Sequence, residues 1–357
     1  MSRSQSFFEK KGFHPSFKLY FIDAMGAMAQ GLFASLLLGT ILKTLGDRIP
    51  GCSFLTDIAA FAQNGYVVGA AIGVAVAFAL GAQGLVLYST AAVGAIGYML
   101  GDVITLADGA QISYTAGPAG AFVAVIVAAE LGKLVYKSTK IDIIVTPLTV
   151  ILSGYGIARL VCPAIAYAMY WLGDFINTAT EMQPFIMGII ISVVVGIILT
   201  LPISSAAICA MIGIAGLAGG AATAGCCAQM IGFAVMSFRV NGFGGLIAQG
   251  LGTSMLQMGN IVRRPQIWIP TIIASAITGP LSTMVFKLTN NGVSAGMGTC
   301  GLVGPLGIIS ATGEMTAWTW LGIALICFVL PAVITLAVSE AMIKLKLYKP
   351  EDMKLDL

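Results

Sequence analysis

The chain reads as an all-α polytopic membrane protein of about ten transmembrane helices plus two re-entrant hairpins. Three observations predict this. Of its 357 residues, 58% are hydrophobic and 9% charged, with a mean hydropathy of +0.96. A soluble domain carries roughly a quarter charged residues to cover its surface. Apolar runs of about 20 residues, enough to cross a bilayer, recur along the chain. Two further stretches, 240–262 and 289–315, lie among apolar runs yet are rich in glycine and amides, a composition that breaks helices. The 44 glycines fit the same class, because small residues let membrane helices approach closely. Gly69/Gly73, Gly97/Gly101 and Gly216/Gly220 have the spacing of such contacts.

Residues 1–18 are polar and basic, with Arg3, Lys10, Lys11 and Lys18 against Glu9. They form an expected cytoplasmic tail. The apolar run that follows continues well past Ala27-Met28-Ala29, so it reads as an uncleaved first span over about 19–44. Spans follow at about 58–80, 83–101, 117–136 and 142–170, completing a first half over 19–170. In 171–183, Trp171, Phe175 and Ile176 alternate with Asp174, Asn177 and Glu181, the pattern of an interfacial linker helix. The second half, 184–345, has clear spans at about 185–202, 266–287 and 316–345. The small-residue-rich stretch 205–238 divides into two tightly turned spans. Residues 346–357 form a second expected cytoplasmic tail.

Charge placement supports ten spans. With the N-terminus inside, the inward segments carry Lys133, Lys137 and Lys140, then Arg239, Arg263 and Arg264, then Lys344, Lys346, Lys349 and Lys354. The outward side keeps Lys43, Arg48, Arg159 and Lys287, which obeys the positive-inside bias. Nine spans would put the basic end outside. Both termini are therefore expected in the cytoplasm.

Several classes of chemistry are disfavoured. The seven cysteines lack paired C-x-x-C spacing and read as small buried hydrophobes. His14 is the single histidine, so no histidine metal site is expected. There is no Walker loop, H-E-x-x-H, nucleophile elbow or Rossmann glycine pattern. No catalytic residue, metal, cofactor or nucleic-acid partner is expected. The expected partners are the lipid bilayer and a small polar solute.

The stretch 289–315 is the expected site. Irregular backbone at membrane depth is tolerated only where protein buries it or it lines a watery cavity, and transporters hold solutes at such breaks. Glu314 is its most informative residue, since a carboxylate in a membrane domain normally faces a polar space or a partner. Thr312, Asn290, Asn291, Ser294 and Thr299 offer neutral hydrogen bonds suited to a hydroxylated solute. Asn241, Gln249, Gln257 and Asn260, at the first hairpin, are further candidates. The competing reading is interfacial placement of Glu314 beside Trp318 and Trp320, and capping of hairpin helices by the amides. Glu130 has Lys133 one turn on, so a local ion pair accounts for it. Gln63-Asn64 and Gln83 read as polar glue between helices.

The run N-N-G-V-S-A-G-M-G-T-C-G-L-V-G-P-L-G at 290–307, followed by A-T-G-E at 311–314, resembles the membrane (EIIC) subunits of the bacterial sugar phosphotransferase system. The resemblance covers essentially the whole chain and is strongest to the EIIC-like branch that includes a PfoR-type regulator of perfringolysin expression. It implies a glucose-superfamily-like EIIC fold in the bacterial cytoplasmic membrane and a homodimer. The first half would dimerise and the second would move in an elevator-like manner. The glutamate of the family's G-I-T-E-type motif maps onto Glu314, with Thr312 and Gly313 beside it. Two departures stand out: no histidine follows His14 among these residues, and no fused EIIA or EIIB domain is expected. Phosphorylation would need a separate EIIB, itself served by EIIA. The expected function is transport of a small polar solute, a sugar or related metabolite. The alternative is an EIIC-like sensor that binds solute and signals through a cytoplasmic partner.

Overall fold

A backbone surrounded by lipid can satisfy its polar groups only from within, and helices do so segment by segment. The computed structural model describes residues 11, 15–105, 111–312 and 315–355. It is helical apart from one antiparallel pair of short strands, β1 (Gly101–Thr105) and β2 (Gln111–Thr115), with Gly101 opposite Thr115. Among the described residues six helices are long and apolar enough to cross a membrane. They are α1 (Leu19–Asp47), α5 (Gly117–Val135), α6 (Asp142–Thr180), α9 (Gly216–Met236), α12 (Pro265–Val285) and α15 (Ala317–Lys344). A seventh arises if α2 (Phe54–Ala62) and α3 (Gly65–Ala79), bent by 56°, count as one span. The apolar helices α4 (Leu85–Met99) and α7 (Pro184–Thr200) are shorter.

Three local expectations are corrected. The stretch 205–238 is one span rather than two, because α8 (Ser205–Met211) has only 7 residues. At 1.5 Å per residue it is far too short to cross. Gly213 and Gly216, both with φ near +60°, turn the chain between α8 and α9. Gly216 is thus a turn residue, with nothing near its Cβ position. Second, 171–180 is no separate linker, since α6 runs on through it to Thr180. That stretch holds no proline, and Thr178 Oγ1 donates back to Asp174 O at 3.1 Å. Third, Asn64 caps α3, accepting from Tyr66 N at 3.0 Å, and so belongs to the bend.

The chain groups into two units. One holds the chain up to Leu36 with Ala60–Met169, and the other Leu37–Ala59 with Tyr170–Leu357. In the first unit glycines bring α3, α4 and α5 together. A Cβ on Gly69 would stand 2.6 Å from Gly94 O, and one on Gly97 2.6 Å from Gly120 O. Gly73 and Thr90 O are closer still. Gly101 instead lies in β1, against the backbone of Tyr114. Lys133 Nζ and Glu130 Oε2 are 2.8 Å apart on α5, both side chains buried. The ammonium also donates to Leu80 O at 2.9 Å, capping the carbonyl end of α3. The local ion pair read from the sequence is present, and it also ties two helices together.

In the second unit α9 is central, packed by α7, α12 and α15. Its sequence explains why. A run of Ala, Gly, Thr and Cys leaves neighbours free to approach on every side, and 89% of its apolar window is buried. Gly196 of α7 meets Gly225 O, with a Cβ position 2.9 Å away. Midway along α9, the buried Gln229 carbonyl accepts from Thr271 Oγ1 at 2.8 Å and Trp268 Nε1 at 2.9 Å. Thr200 Oγ1, at 3.4 Å from the same oxygen, shares a 2.8 Å bond with Ser254 Oγ. This polar knot fastens α7, α9, α12 and the segment around Ser254.

Two tests follow from this packing. Glu130→Ala should destabilise the protein by about 3–5 kcal/mol, because it removes the counter-charge of a buried ammonium. Joint replacement, Glu130→Gln with Lys133→Met, should recover most of that loss in detergent unfolding. Equal losses in both variants would deny the pair its role. Gly73→Val should cost about 1–3 kcal/mol or more through overpacking. Gly26→Ala, at a helical glycine with nothing within 4 Å, should be neutral or gain up to about 1 kcal/mol.

Candidate functional site

Both glycine-rich stretches are broken helices in the second unit. The first runs from α10 (Phe238–Ile247) through a π turn, Ala248–Gly252, and a 3-10 turn, Ser254–Gln257, into α11 (Met258–Arg263). The second runs from an irregular stretch at 287–291 through α13 (Gly292–Ala295) and Cys300–Leu302 into α14 (Val303–Ala311). The break before α14 uses Gly301 and Leu302, with φ of 51° and 61°. Gly304 N donates to Gly298 O at 2.8 Å, closing the turn.

The approach to the second break lies along the start of α9. Asn290 N donates to Gly216 O at 3.2 Å, and Gly292 N to Ile214 O at 2.8 Å. Any side chain at Gly219 or Gly220 would strike the carbonyls of Asn290 and Leu288. Asn290 itself is fully buried. Its Nδ2 donates to Thr223 Oγ1 at 2.8 Å and to Gly304 O at 3.0 Å. Its Oδ1 accepts from Ser294 Oγ at 2.6 Å and Asn291 N at 2.8 Å. Two donors and two acceptor positions are all an amide has, so Asn290 is saturated and binds the two legs of the segment together.

The two broken segments meet. Thr299 Oγ1 donates to Gly250 O at 2.5 Å, and both residues are buried. Beside this junction Gln249 Nε2 donates to Ser237 Oγ at 2.8 Å and Gly245 O at 3.0 Å. Its carbonyl accepts from Gln257 Nε2 at 2.9 Å. Gln257 in turn accepts from Asn260 Nδ2 at 2.8 Å. Asn241, Gln257 and Asn260 all donate to backbone carbonyls of Met353 or Lys354 at 2.9 Å. These amides bond to one another and to the backbone at 353–354.

Fewer of the candidate residues are accessible among the described residues. Asn291 is exposed, and Ser294 and Thr312 are half-buried. Gly313 and Glu314 lie outside the described residues. Their flanks are placed, however. Thr312 N closes α14 on Ile308 O at 2.9 Å, and Met315 packs on the core formed by Leu288, Ile308 and Ile323. Trp318 stacks on Phe286 with ring centroids 5.0 Å apart and donates to Val285 O at 3.2 Å. Sequence reasoning missed Gln229, although a lone amide within the small-residue run of α9 was a visible signal. Among the described residues no cluster of metal-ligating side chains occurs.

Compared with known families, residues 22–355 match the family described as Phosphotransferase system, EIIC. No curated protein and no solved structure matches the chain. With nearly its whole length matched and its helices apolar enough to span a bilayer, the chain is an integral membrane protein that belongs to the phosphotransferase-system EIIC family.

Proposed function

We propose that this protein carries a small polar solute, a sugar or related metabolite, across the bacterial cytoplasmic membrane. The observation that supports this most is the junction of two helix breaks through Thr299 and Gly250 within a chain of the EIIC family. Two broken segments joined at their tips give a transport body its neutral hydrogen-bonding groups without a lipid-facing irregular backbone. In this reading the segments are re-entrant. Glu314 receives solute hydroxyls, with Thr312, Asn291 and Ser294 as neutral neighbours. Asn290, Thr299, Gln249 and Gln257 hold the shape, while Asn241 and Asn260 secure the first break from behind.

In this proposal the half 19–170 forms a homodimer and the half 184–345 moves between membrane faces in an elevator-like cycle. A separate EIIB, recharged by EIIA, transfers its phosphoryl group to a solute hydroxyl at the cytoplasmic face. The chain itself provides binding and orientation only.

Glu314→Gln keeps the shape and removes the charge. Hydrogen bonds to a charged group contribute about 1.5–3 kcal/mol each, so solute affinity should fall about ten- to hundredfold. Titration of purified protein with a panel of sugars reads this directly, and undiminished affinity would remove Glu314 from the site. Asn290→Ala should instead lower stability by about 1–3 kcal/mol through its unpaired partners. Uptake into proteoliposomes, with and without EIIB and EIIA, separates phosphorylating transport from simple transport. Binding with no flux under either condition would make the protein a sensor.

A further inference from the structure

The segment beyond α15 is seated in the fold. Leu347 N returns to Met342 O at 3.1 Å, and Tyr348 OH bonds Ser339 Oγ at 2.6 Å. A 3-10 turn over Pro350–Met353 then lays the chain against the first broken segment. Met353 is fully buried in a core cluster with Phe233, Ile261 and Ile267. Both carbonyl positions of Met353 are used, by Asn241 Nδ2 and Gln257 Nε2, each at 2.9 Å. Asn241 also accepts from Leu355 N at 2.8 Å, so one side chain pairs with this backbone in both directions. Asn260 Nδ2 takes Lys354 O at 2.9 Å.

We propose that residues 348–355 are a strap whose seating sets the conformation of the first broken segment and, through it, the junction with the second. The connection is continuous in hydrogen bonds. Gln257 holds Met353 O with one amide hydrogen and Gln249 with the other. Gln249 stands in the π turn next to Gly250, whose carbonyl receives Thr299. Unseating the strap frees Gln257, which loosens Gln249 and the turn that presents Gly250. The strap's grip is apolar and amide-based. Among the described residues its one ionic contact, Arg264 Nε to Asp352 Oδ1, is 4.0 Å long between partly exposed groups and is screened at ordinary salt. Seating is therefore insensitive to ionic strength. The inference rests on the packing alone and is independent of which solute, if any, is carried.

Hydrogen–deuterium exchange on the full chain in detergent tests it with variants confined to the strap, leaving both broken segments unaltered. Met353→Ala empties the buried pocket, and Leu355→Pro removes the backbone donor to Asn241 Oδ1. Exchange at 248–263 and at 297–302 should rise at least tenfold in Met353→Ala and by a smaller factor in Leu355→Pro, unchanged between low and high salt. Exchange in α5 should stay as in the parent. Fast exchange in the strap with 248–263 still protected would overturn the proposal. So would a rise spread evenly over every helix, which would mark general unfolding.

Discussion

Every break in a helix within an apolar environment exposes amides and carbonyls that lipid cannot bond, and each unpaired group costs several kcal/mol. That constraint governs the second unit. Its two broken segments survive because asparagine, glutamine and threonine side chains, from the same segment or the other one, take up the orphaned groups. Asn290 bonds Gly304 O within the second segment, Thr299 bonds Gly250 O across the junction, and Gln249 bonds Gly245 O within the first segment. The small-residue helix α9 makes this possible. Gly219 and Gly220 let the irregular stretch 288–290 lie directly on its backbone.

The same constraint divides labour among residues that look alike. A buried amide that has used both donors and both acceptor positions fixes geometry and has nothing left for a ligand. Only groups with spare capacity at an accessible surface can exchange water for solute. Among the described residues of the second broken segment, Asn291 is exposed and Ser294 and Thr312 are half-buried. Rigid support behind a few open groups is what a binding site requires, since a ligand gains most where the protein has already been ordered.

Much of this arrangement was legible in the residues. Composition alone gave the membrane class, and the glycine-amide stretches marked both helix breaks. The Glu130–Lys133 spacing announced its ion pair. What escaped was set by packing between distant segments. Whether 205–238 makes one span or two depends on the positive φ of Gly213 and Gly216, which composition does not state. The continuation of α6 through 171–180 rests on local bonds such as Thr178 to Asp174. The roles of Asn241 and Asn260 could not be read locally, because their partners lie about a hundred positions away at 353–355. Residues 348–355, read from the sequence only as part of a cytoplasmic tail, are held there with Met353 buried.

A recessed, wet site at the second helix break can be tested most directly at Asn291. Six of the seven native cysteines are buried, and Cys52 is half-buried, so Cys52→Ser leaves a quiet background for Asn291→Cys. In lipid vesicles, that cysteine should react with a small charged methanethiosulfonate yet resist a polymer-tethered maleimide. Failure to react with either reagent would place the segment in lipid or in a packed interior. Equal reaction with both would place it in open water. Either of those results would contradict a site built from joined helix breaks.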